Sequence, residues 1–161
     1  MGKMWVIPFQ GTITAAGTDS DLWTVNPADD KPVQLRAVIL GQISEVKDAE
    51  EEGLRIDVLR MNATITAGTG GAAAVPEDPL LHGQTPGFTA RTNDTTLATT
   101  TGSTDILGHI GWNNRNTPLE KWYPDERFAP RAIQGEALIV RLMTTVADDM
   151  TFAGEVWVEE L

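Results

Sequence analysis

The chain has 161 residues, a net charge of −11 and no cysteine. It is long enough to bury roughly 70% of its unfolded surface without a disulfide or metal, and the missing thiol removes disulfide frameworks, thiolate nucleophiles and cysteine zinc sites. The acid excess repels phosphate backbones and anionic lipid, which argues against nucleic acid and membranes as partners. The apolar run at 4–9 breaks at Pro8 and Gln10, too short for a signal peptide, and no run approaches the roughly 20 residues of a membrane span. The expectation is one soluble domain over 1–161.

Trp5, Ile7, Phe9 and Ile13 alternate with Val6, Pro8, Gln10 and Thr12, which predicts a first strand over 4–14. Pro8 has no N–H for the ladder, so this strand belongs at an edge or carries a bulge. A turn at 15–21, a short strand at 22–25 and a loop at 26–32 follow. Alternation resumes over 33–44, with Gly41 as a bulge position. The acid-rich 45–53 reads as a solvated loop. Leu54, Ile56 and Val58 then alternate with Arg55 and Asp57, and the register shifts at Leu59 and Met61, a second bulge signal.

Residues 66–87 change character. Glycine and alanine run from Gly68 to Ala74; Pro76 and Pro79 follow, with Val75, Leu80 and Leu81 as the apolar members. A structureless loop of this length is uncommon in a compact domain and is usually functional or disordered. It is read as an arm that packs on a neighbouring subunit or moves freely, because strand patterning returns after it. A brief strand at 88–92, a turn at Asn93 and Asp94, a threonine-rich stretch at 95–104 and an apolar stretch from Ile106 to Trp112 come next. A polar loop at 113–116 leads to a strand at 119–123, and 124–135 is irregular.

The closing 136–161 is the clearest stretch. Leu138, Val140 and Leu142 share one face; Phe152, Val156 and Val158 share another, and an acidic turn holding Asp148 and Asp149 lies between. The pattern predicts a closing β-hairpin with one face in the core. About eight to ten short antiparallel strands with turn signals every roughly 8–12 residues argue an all-β sandwich or barrel. Among these a jelly-roll-like sandwich with one long Gly/Ala/Pro-rich arm at 66–87 is chosen, because it manages sheet edges in a chain of this size.

No catalytic motif stands out. His82 and His109 form no His-x-His or His-x-x-x-His pair, so they read as a solvent-facing arm residue and a loop or edge residue rather than ligands. Ser20, Ser44 and Ser103 lack a Gly-x-Ser-x-Gly context. The carboxylate pairs Asp29/Asp30, Asp125/Glu126 and Asp148/Asp149 sit in turns, where solvation is the ordinary fate, whereas glycoside hydrolysis needs two opposed carboxyls with one buried. The Glu50–Glu52 cluster lacks calcium-loop spacing. Gly68, Gly70 and Gly71 precede no Lys-Ser/Thr and no helix, so no phosphate loop is present. Five tryptophans are many for this length. Core filling accounts for three; the rest would form a sugar-stacking platform or an interface. Trp157 shares a face with Glu155 and Glu159, which points it away from the core.

The opening Met4-Trp5-Val6-Ile7-Pro8-Phe9-Gln10-Gly11-Thr12-Ile13-Thr14, the segment Trp122-Tyr123-Pro124-Asp125-Glu126-Arg127-Phe128 and the ending from Gly135 to Glu160 together resemble small virion proteins of tailed bacteriophages. The likeness is to capsid decoration, or cement, proteins with jelly-roll-like folds. It covers most of the chain loosely and has no short diagnostic motif. It implies a non-enzymatic protein without cofactor or metal that assembles in the host cytoplasm, trimerises on the capsid exterior and ties capsomers together. The partners would be the major capsid protein and the chain itself as a homotrimer. The apolar residues expected at the interfaces are Trp5, Trp157, Val75, Leu80 and Leu81. Two other readings compete: a carbohydrate- or receptor-binding module of a phage tail or spike, with exposed coplanar tryptophans, and a jelly-roll enzyme with a perturbed carboxylate or histidine in a cleft.

Overall fold

The structure, a computed structural model, describes residues 2–15, 19–28, 30–44, 51–116 and 118–161. The described chain is all-β, with thirteen strands rather than eight to ten, and two of them run to 11 residues. In a first sheet, β1 (Lys3–Ile13), β13 (Met150–Glu160), β3 (Val33–Gln42) and β10 (Leu119–Trp122) lie in that order, and β11 (Arg131–Ala132) pairs further along β3. A second sheet runs β6 (Ala72–Ala74), β7 (Phe88–Asp94), β2 (Ser20–Pro27), β12 (Ala137–Leu142), β4 (Gly53–Met61), β9 (Thr104–Asn113). The short β5 (Ile65–Thr66) and β8 (Thr99–Thr100) pair with each other. All these pairings are antiparallel.

The two sheets pack face to face over one core, to which period two delivers the side chains. Trp5, Ile7 and Phe9 enter from β1, Phe152, Val156 and Val158 from β13, and Leu138, Val140 and Leu142 from β12, all buried. Trp23 from β2 crosses the gap. Its ring meets Phe9 edge-on at 5.4 Å, and its Nε1 donates to the Ile7 carbonyl at 3.1 Å. That bond satisfies an indole N–H that burial would otherwise leave unpaired.

The parity expected for the closing residues holds; the hairpin does not. β12 pairs with β2 and β4, whereas β13 pairs with β1 and β3. Residues 143–149 cross from one sheet to the other, and Val146 packs into the core beneath the crossing. The reason lies in β12 itself. Ala137 and Ile139, on its other face, are also fully buried, so the strand needs cover on both sides and belongs at the centre of a sheet.

β1 pairs only with β13 among the strands, and Pro8 sits exposed on it, an edge position as its chemistry demands. The register shift expected at Leu59 is present, where β9 carries one extra residue opposite Val58 and Leu59. Gly41 marks no shift; the β3–β13 ladder slips instead between Trp157 and Val158. The loop reading of 45–53 falls largely on residues 45–50, which lie outside the described residues, as do Glu50 of the acidic cluster, Asp29 of its pair and residues 16–18 of the first turn.

Residues 62–103 connect β4 to β9, and they are not a featureless arm. β6 and β7 extend the second sheet, and Asn93 and Asp94, expected in a turn, end β7. A bridge joins Thr69 to Thr96, and another joins Glu77 to Val6 of β1. The glycine run has a steric reason. A Cβ at Gly71 would strike the Thr92 carbonyl oxygen, so only glycine lets this segment lie against β7.

Candidate interaction surfaces

The outer face of the second sheet is covered by the chain's own insertion. Leu59, Met61, Ala137 and Ile139 point outward from β4 and β12 and are buried with Ala98, while Ile65 packs on them. Beside this small core, one transverse row of charged residues crosses five strands. Strand register sets His109 opposite Asp57, Asp57 opposite Arg141, Arg141 opposite Asp21 and Asp21 opposite Asp94. Asp21, Asp57 and Asp94 are buried, and each has cationic or backbone partners. Arg141 grips Asp21 through Nε at 2.5 Å and Nη2 at 3.1 Å. The Ala98 N–H donates to the same carboxylate at 2.7 Å, and the Ala98 carbonyl accepts from Arg141 Nη2. Arg91 chelates Asp94, while Arg55 and His109 Nδ1 reach Asp57. A buried carboxylate persists only with such pairing. The row therefore ties the insertion to the sheet.

Two further carboxylates anchor the exposed part of the insertion. Asp78 accepts from the Leu80 and Leu81 N–H groups and pairs with Lys3 Nζ at 3.2 Å. The Leu80 amide, with Lys3 and the Leu81 amide, holds its carboxyl below the ordinary aspartate value. Glu160 accepts from Trp5 Nε1, Lys31 Nζ and the Gly87 N–H. Burial pushes the Glu160 carboxyl up, but these three donors outweigh it and leave its pKa below the ordinary value. Between the anchors, Val75, Leu80 and Leu81 are 71%, 87% and 59% exposed. Their outward placement agrees with the sequence pattern.

The outer face of the first sheet has a different character. Register aligns Val6, Trp157, Ala37 and Trp122 in one row across four strands. The two indoles touch over Ala37, their rings 6.1 Å apart and inclined by 53°. Each indole N–H is held by a carboxylate two residues back, Trp157 by Glu155 and Trp122 by Glu120. On one side of the row, Pro8, Gln10, Ile39, Ala153, Gly154 and Glu155 line a recess of about 610 Å³. β13 and β3 run close here, because a Cβ at Gly154 would meet the Ile39 carbonyl. On the other side, Lys3, Met4, Arg36 and Glu159 form a groove of about 770 Å³ with Leu80 and Leu81 as its wall.

Of the expected interface residues, Val75, Leu80 and Leu81 are exposed and Trp157 is half-buried against Trp122. Trp5 is a correction: it is fully buried, edge-on to Phe88. It shares parity with Ile7 and Phe9, and its N–H is spent on Glu160. Trp23 and Trp112 are the other two core tryptophans, and Trp122 is the outward one that the alternation left unassigned. His82 is exposed on the insertion, and His109 lies on the edge strand β9. Asp148 and Asp149 are exposed, and Asp125 is bound to Arg127. Among the described residues, no group of three or more His, Asp or Glu is arranged to hold a metal ion. The chain matches no protein-family model, no curated protein and no solved structure.

Proposed function

We propose that this chain is a structural module that decorates and stabilises a bacteriophage capsid from its exterior, binding between capsomers as an oligomer, threefold by the resemblance in its sequence. The observation that carries the reading is apolar surface held outward on an anchored support. Val75, Leu80 and Leu81 project from an insertion fixed by Asp78, Glu160 and the Glu77–Val6 bridge. Exposed apolar surface of this kind marks interaction sites. Its burial contributes roughly 25 cal/mol per Å² before ordering costs are subtracted, and a repeating lattice multiplies weak contacts into avidity.

Strand order supports a jelly-roll reading of the sandwich. Apart from the run β4, β7 and β9 within the second sheet, the strands of four or more residues alternate between sheets: β1 in the first, β2 in the second, β3 in the first, and later β10 in the first, β12 in the second, β13 in the first. Jelly rolls are an architecture of viral capsid and lectin domains. The tail or spike glycan module draws on Trp122 and Trp157, but their 53° inclination and the burial of Trp157 leave no coplanar stacking platform.

The test begins with the gene neighbourhood and heads assembled from the capsid protein encoded there. Saturable co-sedimentation with those heads, lost on Leu80→Asp with Leu81→Asp, is the expected result. No binding to heads, together with tryptophan fluorescence that responds to a glycan, replaces this reading with the tail module.

A further inference from the structure

We propose that the outer face of the first sheet docks a basic, extended segment of a partner protein, one that presents arginine side chains at alternate positions. The proposal goes beyond the capsid reading and does not rest on it.

Charge balance singles out one row of this face. Register sets Pro8, Glu155, Ile39 and Glu120 side by side across β1, β13, β3 and β10, next to the row that holds both indoles. The other charged groups here are spent. Lys3 is paired with Asp78 and Arg36 with Glu159, while Lys121, on the opposite parity of β10, stands over the Tyr123 ring. Glu155 and Glu120 have no cationic partner among the described residues. Each accepts its indole N–H on one oxygen, at 2.8 and 3.3 Å, and keeps the other oxygen for a partner. Two negative charges are left uncompensated beside the tryptophan pair.

The indoles turn that excess into a site for a particular cation. An indole is negative over its ring face and positive at its N–H edge. Here the carboxylates occupy both N–H edges, so the surfaces left to a partner, ring face and carboxylate oxygen, both attract positive charge. A guanidinium suits them better than an ammonium, because it stacks on an indole and forks onto a carboxylate. Trp122 is 49% exposed and open to such stacking. The recess of about 610 Å³ lined by Pro8, Ile39, Ala153 and Gly154 reaches Glu155 and accepts the apolar stem of the side chain. With strands about 4.8 Å apart, the two carboxylates lie roughly 10 Å from each other across β3, and alternate residues of an extended chain are about 7 Å apart, a difference that long arginine side chains close. A second copy is a poor occupant of this row, since it carries the same charge of −11. A basic segment is instead drawn in by that field from a distance.

The test titrates the full chain with an end-capped Ser-Arg-Ser-Arg-Ser peptide at low ionic strength and reads the indole Nε1–H resonances. Those of Trp122 and Trp157 should move, and those of the core tryptophans should not. Glu120→Gln with Glu155→Gln keeps an acceptor for each indole N–H and should raise the dissociation constant about tenfold. Trp122→Leu should raise it about threefold. Asp148→Asn with Asp149→Asn makes the same charge change in an exposed turn and should alter it by less than about twofold. The glutamate counterpart of the peptide should not bind. Leu80→Asp with Leu81→Asp, which disables the proposed capsid contact, should leave peptide binding in place, so the two readings fail separately. Equal losses from the two carboxylate pairs would reduce the effect to net charge and overturn the proposal, as would binding that leaves the Trp122 and Trp157 resonances unmoved.

Discussion

The outer faces of the two sheets meet the same physical problem and answer it differently. Each presents apolar side chains that the sandwich core cannot bury. On the second sheet, the chain spends residues 62–103 on the problem. The insertion folds back, covers Ile139, Leu59 and Met61, and is locked by the Arg141–Asp21 pair. On the first sheet no comparable segment crosses the described face, and the indoles of Trp122 and Trp157 shelter each other over Ala37 instead. The covered face stabilises the protomer. The open one is available for association.

The largest expected break of this contrast is at the covered face. Arg141→Met leaves Asp21 buried without its guanidinium and should cost about 3–5 kcal/mol in denaturant unfolding. The sharpest comparison uses two isoleucines on outward faces. Ile139→Ala, at 0% exposure, should cost about 2–4 kcal/mol. Ile39→Ala, half-buried on the first sheet, should cost under about 1 kcal/mol in a dilute, dissociated sample. Equal losses at the two positions would remove the distinction between the faces.

The next effect is in pH. The folded pKa of Glu160 and of Asp78 lies below the ordinary value. Each therefore contributes stability that is present above its ordinary value, 4.5 for the glutamate and 3.8 for the aspartate, and lost as pH falls through the lowered one. Acid should loosen the insertion's exposed end before the sandwich unfolds, so hydrogen exchange near Leu80 should rise first, and Asp78→Asn should flatten that acid response. The smallest effect is at the open face. Trp122→Ala should change dilute-protomer stability by no more than about 1 kcal/mol, while weakening the arginine peptide's binding in the same titration.

Much of the protomer was legible in the sequence because period two is a local property. The inward sets of β1, β12 and β13 followed from alternation, and so did the edge position of Pro8. Trp5 was legible too, since it alternates in phase with Ile7 and Phe9, and its place as an interface residue contradicted that phase. Pairing was not legible, because which strands meet depends on contacts remote in sequence. The hairpin reading of 136–161 failed there. A signal for the covered face did exist: Ala137-Leu138-Ile139-Val140 is apolar on both parities, the mark of a strand buried on two sides. The buried Asp21 was harder to find, since its partner Arg141 is set by cross-strand register; Asp57 and Asp94 carry Arg55 and Arg91 two and three residues back on their own strands, but their burial depends on what the fold lays over that face. Attention to adjacent acidic pairs led instead to solvated turns.

The position of β13 has a consequence for timing. It sits between β1 and β3 and holds them in one sheet, yet it follows both by more than a hundred positions. During synthesis β1 and β3 leave the ribosome with their apolar sides exposed; the short β10 and β11 reach β3 first, and the strand that joins β1 to β3 appears only at the end. The closure entropy of so long a loop precedes any gain from the ladder, and folds dominated by such remote pairings are slow to form. Sheet two can zip β4, β9 and β12 first, so a kinetic intermediate with a formed second sheet and an unformed first one is the expected route. Its open strand edges are a hazard at high concentration, and expression at reduced temperature or dilution should raise the yield of folded chain.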